Sequence, residues 1–226
     1  MTEEPENERA APAVVIETLP RIAVVRLNRP AARNPLSVKT LEELDQAVSS
    51  LDQRADIHAL IITGAGDVFA SGANIRELRA LNPTTAREFA LRGQRVMQRI
   101  ADSTKLTIAA VNGYCMGGGL DLALACDLRC ASTRAVFAHP GARLGIITGW
   151  GGTQRLPRLI GPARALEIFT TARRLTSYEA LEMGLIGWVG DNVLDQACEL
   201  AELQGRPHSL SSRSRALQSS SRALQE

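Results

Sequence analysis

Two stretches of the 226-residue chain offer backbone donors where negative charge could be held. One is Phe69-Ala70-Ser71-Gly72-Ala73-Asn74 and the other is Met116-Gly117-Gly118-Gly119-Leu120-Asp121; each follows an apolar, strand-like run and precedes a helical one. A helix opening on a glycine turn leaves its first N–H groups without intrahelical acceptors and carries partial positive charge there. Glycine also removes the Cβ that would keep a ligand at a distance. Two such donors converging on one carbonyl oxygen would stabilise charge developing on that oxygen, as an oxyanion hole does. The same glycines equally suit tight turns or close packing. Asp121 brings a carboxylate to the second loop, for proton transfer or for favourable contact with its own helix dipole. His58, His139 and His208 lie far apart without carboxylate or cysteine spacing, so no metal centre is expected. Gly64-Ala65-Gly66 lacks the third glycine of a dinucleotide fingerprint, no P-loop lysine follows a glycine cluster, and no serine elbow is present.

The elements that must position these loops are legible from periodicity. Ala13 to Thr18 and Ile22 to Leu27, broken by Pro20, predict a hairpin. Leu41, Leu44, Val48 and Leu51 have helical spacing behind a Ser37 cap. Ile57 to Thr63 predicts a strand feeding a loop from Gly64 to Asn74, then a helix from about Thr84 to Ala101. Leu106 to Val111 is a further strand, Leu120 to Cys126 a helix and Leu128 to Ala131 a strand. Helices follow at Ala163 to Thr171, Ser177 to Met183 and Val193 to Leu203. Alternating strands and helices imply an α/β core with a sheet largely parallel beyond its first hairpin. A polar tail (1–12), a core domain (13–192) and a short helical or partly disordered C-terminal segment (193–226) are expected. The last part is rich in serine and arginine and contains Ser-Arg-Ala-Leu-Gln at Ser214 and again at Ser221.

Composition narrows the classes. A formal charge of +2 calls for neither nucleic acid nor a membrane surface, and no run approaches the roughly 20 apolar residues of a bilayer crossing. Cys115, Cys126, Cys130 and Cys198 show neither metal-ligand spacing nor a disulfide framework, and the acidic start resembles no leader; a cytoplasmic protein is expected.

The segment from Ala109 to Asp127, Ala-Ala-Val-Asn-Gly-Tyr-Cys-Met-Gly-Gly-Gly-Leu-Asp-Leu-Ala-Leu-Ala-Cys-Asp, closely resembles the signature of the enoyl-CoA hydratase/isomerase (crotonase) family. Leu27-Asn28-Arg29-Pro30 with Asn34, the loop Phe69 to Arg76, and Gly149-Trp150-Gly151-Gly152-Thr153-Gln154-Arg155-Leu156 match the same family in the same order, over about Val14 to Leu203. The resemblance implies a fold of repeated strand-strand-helix turns (a ββα superhelix) with a shortened helical C-terminal part, since family members usually continue for several more helices. It implies an acyl-CoA substrate, with coenzyme A as part of that substrate and no permanently bound cofactor, and a homotrimer or hexamer. The oxyanion hole would be the N–H groups of Ala73 and Gly118, holding a thioester enolate. Coenzyme A would pass the Asn28 to Asn34 segment and Gly72, Ala73, Asn74, Ile75 and Arg76, with Gly118, Gly141 and Gly149 near it and Arg29, Arg33 and Arg76 available to its phosphates.

The chain departs from the hydratases at the catalytic acids. They use two glutamates around one water; the first aligns with Asp121, one methylene shorter, and the second with Gly141, which has no side chain. His139 is the substitute candidate: were the segment around Pro140 extended, residues 139 and 141 would point to one side and the imidazole would enter the space left by Gly141. A packed histidine is the plainer alternative. Three functions follow: a hydratase or isomerase acting on an enoyl-CoA, a decarboxylase or carbon–carbon hydrolase using His139, and a non-catalytic or RNA-binding relative. The last is disfavoured because Leu41 to Arg54 is mainly acidic and neutral.

Overall fold

The computed structural model describes residues 11–204. The hairpin forms as β1 (Val14–Leu19) and β2 (Ile22–Leu27), antiparallel, with Val14 opposite Leu27. β2 then pairs in parallel with β4 (Ala59–Gly64), β4 with β7 (Leu106–Val111), β7 with β9 (Leu128–Ala131) and β9 with β12 (Trp188–Val189), giving a six-stranded sheet in the order β1-β2-β4-β7-β9-β12. Every residue of β4 and β7 is buried, as central parallel strands covered on both faces must be. Their side chains alternate between two apolar layers: Leu60, Ile62, Ala109 and Val111 face one, and Ala59, Ile61, Ile108 and Ala110 face the other.

The glycine loops contain more structure than their composition suggests. Within the stretch expected to be a loop, β5 (Val68–Ala70) and β6 (Gly72–Ala73) form; β8 (Tyr114–Met116) follows β7, and β10 (Val136–Ala138) follows β9. A second sheet runs in the order β11-β10-β8-β5, with β11 at Arg174–Thr176, while β6 pairs in parallel with β3 (Pro35–Leu36). β4, β7 and β9 each therefore feed a short strand of the second sheet. After β5 the chain enters helices α2 (Ile75–Arg79) and α3 (Pro83–Ala101), after β8 helix α4 (Gly118–Ala125), and after β10 a 3-10 turn (Pro140–Leu144) and helix α5 (Gly152–Ile160). This is the expected repeat of two strands and a helix.

Capping sets where the helices start. Ser37 Oγ accepts from Thr40 N at 3.1 Å to open α1 (Val38–Asp52), and Asn82 with Thr85 forms a capping box for α3, whose first residue is Pro83. α6 (Pro162–Thr171) and α7 (Ser177–Glu182) follow, the latter behind a Thr176–Glu179 capping box. α8 (Val193–Gln204) lays Val193, Ala197 and Ala201 on the second apolar layer, closing that face of the main sheet. Both copies of Ser-Arg-Ala-Leu-Gln lie outside the described residues. Among the described residues no helix is long and apolar enough to cross a membrane.

Candidate active site

The two donor loops meet. Asn112 ties the turn after β4 to the turn after β7: its Oδ1 accepts from Gly64 N at 3.0 Å, and its Nδ2 donates to Gly66 O at 2.9 Å. Side by side, these strand ends bring Gly72 against the start of α4. A Cβ built on Gly72 would lie 3.1 Å from Gly118 N and 2.8 Å from Met116 O, and one built on Gly118 would lie 3.4 Å from Ala73 N. Gly72 (φ 94°) and Gly117 (φ 52°) hold left-handed conformations that a side chain would disfavour. Gly118 is the first residue of α4, so no intrahelical acceptor exists for its N–H; Leu120 and Asp121 make the earliest bonds back, to Gly117 O at 2.9 and 3.1 Å.

One wall of this junction is Trp150. Its six-membered ring abuts Gly118, with Cε3 2.6 Å from a Cβ built there, and its five-membered ring abuts Gly93 of α3. The indole is buried and packs at 5.4 Å on Phe89.

Asp121 lies one turn along α4 and is 1% exposed. It stands in the first turn of α4, where a carboxylate also meets the helix dipole favourably. Thr148 Oγ1 donates to its Oδ2, and His139 Nε2 lies 3.3 Å from its Oδ1. A third side is closed by Gly152, the first residue of α5, where a Cβ would stand 3.2 Å from Asp121 Cγ. His139 is itself 4% exposed and makes an edge contact with Phe169 at 5.1 Å.

The space expected at Gly141 does not exist. Residues 140–144 form a 3-10 turn rather than an extended run, so residues 139 and 141 do not share a side. A Cβ at Gly141 would stand 2.5 Å from the carbonyl oxygen of Ile146, so backbone fills the place of the missing side chain. His139 therefore turns to Asp121.

The expected ligand contacts divide. Ala73 and Gly118 come together beside Gly72, Asp121 follows one turn along α4, and Asn74 caps α2 by accepting from Arg76 N at 2.9 Å. Arg33, Arg76 and Ile75 are exposed, and Gly149, also exposed, accepts from Gln94 Nε2 at 2.7 Å. Arg29 is different: its guanidinium is buried and donates to the carbonyls of Pro12 (2.9 Å), Asn28 (3.0 Å) and Ala11 (2.5 Å). It fastens the chain before β1 and is not available to a phosphate. Neighbouring Asn34 is equally structural, accepting from Arg29 N at 2.8 Å and donating to Val68 O at 2.6 Å. Thr148 and Trp150 were not singled out by sequence reasoning. Trp150 carried a signal, since it stands inside a glycine cluster of the family-like Gly149 to Leu156 segment, whereas nothing in the sequence marks Thr148.

Burial pushes the thiols of Cys126 and Cys130 up to about 12, and raises Cys115 well above the usual thiol value. None of these cysteines is in a state to act as a nucleophile at neutral pH.

Comparison with known proteins agrees with this architecture. The enoyl-CoA hydratase/isomerase family profile matches residues 17–221. A short-chain-enoyl-CoA hydratase of Clostridium acetobutylicum is 40% identical over 191 residues, covering 83% of this chain and 73% of that protein. A crotonyl-CoA hydratase of Syntrophomonas wolfei is 43% identical over 177 residues, 78% of this chain and 68% of that one. A crystal structure of an enoyl-CoA hydratase from Bacillus anthracis superposes with a TM-score of 0.81 at 36% identity, covering 84% of this chain and 75% of that one. By sequence and by fold alike, the chain belongs to the enoyl-CoA hydratase/isomerase (crotonase) family.

Proposed function

We propose that the protein binds an enoyl-CoA and hydrates it or shifts its double bond, holding the thioester oxygen between the N–H groups of Ala73 and Gly118 while the α-carbon carries enolate character. The observation that carries this reading is the meeting of those two amides at the head of α4, with the Asp121 carboxylate one turn away on the same helix. Donors fixed before the reaction need no reorganisation when charge reaches the oxygen, which is why such holes contribute so much to rate. Asp121 is the carboxylate that moves the proton, positioned by Thr148 and His139. His139 supports this role rather than acting alone, because it is buried behind Asp121 against Phe169.

The chemistry calls for no resident cofactor; coenzyme A arrives as part of the substrate. Arg33 and Arg76, exposed near the Ala73 loop, are the arginines left to meet its phosphates. Four free thiols fit a reducing cytoplasm. Leu144, Ile146 and Ile147, all exposed on one loop, fit a surface covered by self-association into a trimer or a pair of trimers.

The experiment is direct assay of the purified chain on crotonyl-CoA for hydration and on a 3-enoyl-CoA for isomerisation, beside Asp121→Asn. The variant is expected to lose about 10²- to 10⁴-fold in kcat, the usual worth of a positioned proton carrier. Absence of both activities in the wild type refutes the reading.

A further inference from the structure

We infer that Thr148 is the group through which Asp121 exchanges protons with the bound thioester. The inference rests on the enolate reading above and assigns the proton path of that same site. Asp121 is 1% exposed, so its carboxylate does not itself meet a substrate. One oxygen faces His139 Nε2 at 3.3 Å, and His139 is shut in by Phe169. The backbone of Gly152 closes another side, with its Cβ position 2.9 Å from Thr148 Cγ2. The remaining oxygen, Oδ2, accepts the hydroxyl of Thr148. Thr148 is half-buried whereas His139 is buried, so of the side chains bonded to Asp121 among the described residues it is Thr148 that reaches the surface.

A hydroxyl both donates and accepts, which a relay requires. As a water molecule bonds through its oxygen to the β-carbon, its O–H bond breaks and the proton passes to Thr148 Oγ1, while the proton of Thr148 passes to Asp121 Oδ2. The π pair of the double bond moves onto the thioester oxygen as an enolate. Collapse of the enolate takes a proton to the α-carbon along the reverse path, leaving Thr148 and Asp121 as they began and one water added. Isomerisation uses the same path, outward from the α-carbon and back to the γ-carbon. The closed space at Gly141 gives the arrangement its purpose, since no second carboxylate enters there.

The test uses the full chain with Thr148→Val, which keeps the shape and removes the hydroxyl, and Thr148→Ser, which keeps the hydroxyl. Three quantities are read: kcat and KM on crotonyl-CoA and a 3-enoyl-CoA, α-proton exchange of butyryl-CoA in D2O by mass spectrometry, and butyryl-CoA affinity by calorimetry. Thr148→Val is expected to lower kcat and exchange by about 10²-fold, with KM and affinity changed no more than about twofold, and Thr148→Ser to restore most of the rate. A valine variant as fast as the wild type, or a serine variant as slow as valine, overturns the relay alone. A wild type inactive in all three reactions refutes the enolate reading instead and takes the relay with it. If Thr148→Val does not fold, the wild type decides: two protons in flight curve the dependence of kcat on deuterium fraction in mixed H2O and D2O, and a straight line overturns the relay.

Discussion

Gly93 lies in the middle of α3, and Gly93→Ala is expected to weaken both stability and catalysis. Alanine is the better helix former by about 1 kcal/mol, and that effect alone would stabilise the protein. Against it stands the Trp150 indole: a Cβ at position 93 would fall on Nε1, Cε2 and Cδ1, each about 1 Å inside the 3.4 Å at which ordinary contact begins. The ring cannot simply slide away from position 93, because its other edge already abuts Gly118 and it packs on Phe89. Overpacking of a closed site costs about 1–3 kcal/mol, and with both sides of the ring blocked the upper end applies. Setting about 3 against about 1 leaves a net loss of about 2 kcal/mol, which for a chain of this length lowers Tm by roughly 4–8 °C. Displacement of the ring is passed to the Gly118 amide, and misplacement by about 1 Å costs on the order of 10² in rate. Thermal unfolding of Gly93→Ala in the wild type and in Trp150→Leu makes the test decisive. Without the indole only helix propensity remains, so the same substitution is expected to raise Tm by a few degrees in the second background. A rise in Tm in both backgrounds, or a fall in both, refutes the wedge.

Two further predictions concern the closed glycine and the buried thiols. Gly141→Glu restores the residue type of the two-glutamate hydratases, but its Cβ would meet the Ile146 carbonyl, so hydration is expected not to rise and Tm to fall, as kinetics and a melting curve will show; a gain in crotonyl-CoA hydration would mean that the loop opens freely. Cys198, the least buried thiol, is expected to react first with Ellman's reagent at pH 8, with Cys115, Cys126 and Cys130 labelled only on unfolding; equal rates for all four contradict the burial. Because Cys126 and Cys130 stay protonated to about 12 when folded and ionise near 9 when unfolded, the unfolded chain binds fewer protons between those values. Their contribution is intact below about pH 9 and is lost as pH rises toward 12, so urea midpoints are expected to fall over that window.

The long elements were legible because burial imposes a pattern on them. β4 and β7 are continuous apolar runs, and the α1 leucines follow helical spacing behind a serine cap. β5, β6, β8 and β10 were not, since two or three residues are too few to show a period, and the second sheet that aligns the donor loops is built from them. α5 was hidden for another reason: it opens on Gly151 at φ 104° and contains Pro157, so its sequence argues against a helix that tertiary contacts nevertheless enforce. Arg29 misled because its type suits phosphate, while its partners are carbonyls 17 and 18 residues earlier that no local pattern announces.

The site shows the same division between what a motif carries and what only a fold can supply. The two glycine turns before helices could be read from the chain because such turns have a physical signature, while Ala73 and Gly118 in particular were pointed out by the resemblance to the family. The surroundings of Asp121 could not: Thr148 is 27 residues away and His139 18, and neither bond follows from spacing. With the Ile146 backbone against Gly141, the chain places His139 and Thr148 both against Asp121, so an imidazole and a hydroxyl flank one carboxylate. A second carboxylate there would leave two like charges facing each other in a dry site, whereas a hydroxyl and an imidazole each give Asp121 a hydrogen-bond donor. In the proposed reaction, backbone geometry holds the enolate and a single acid, Asp121, carries the proton.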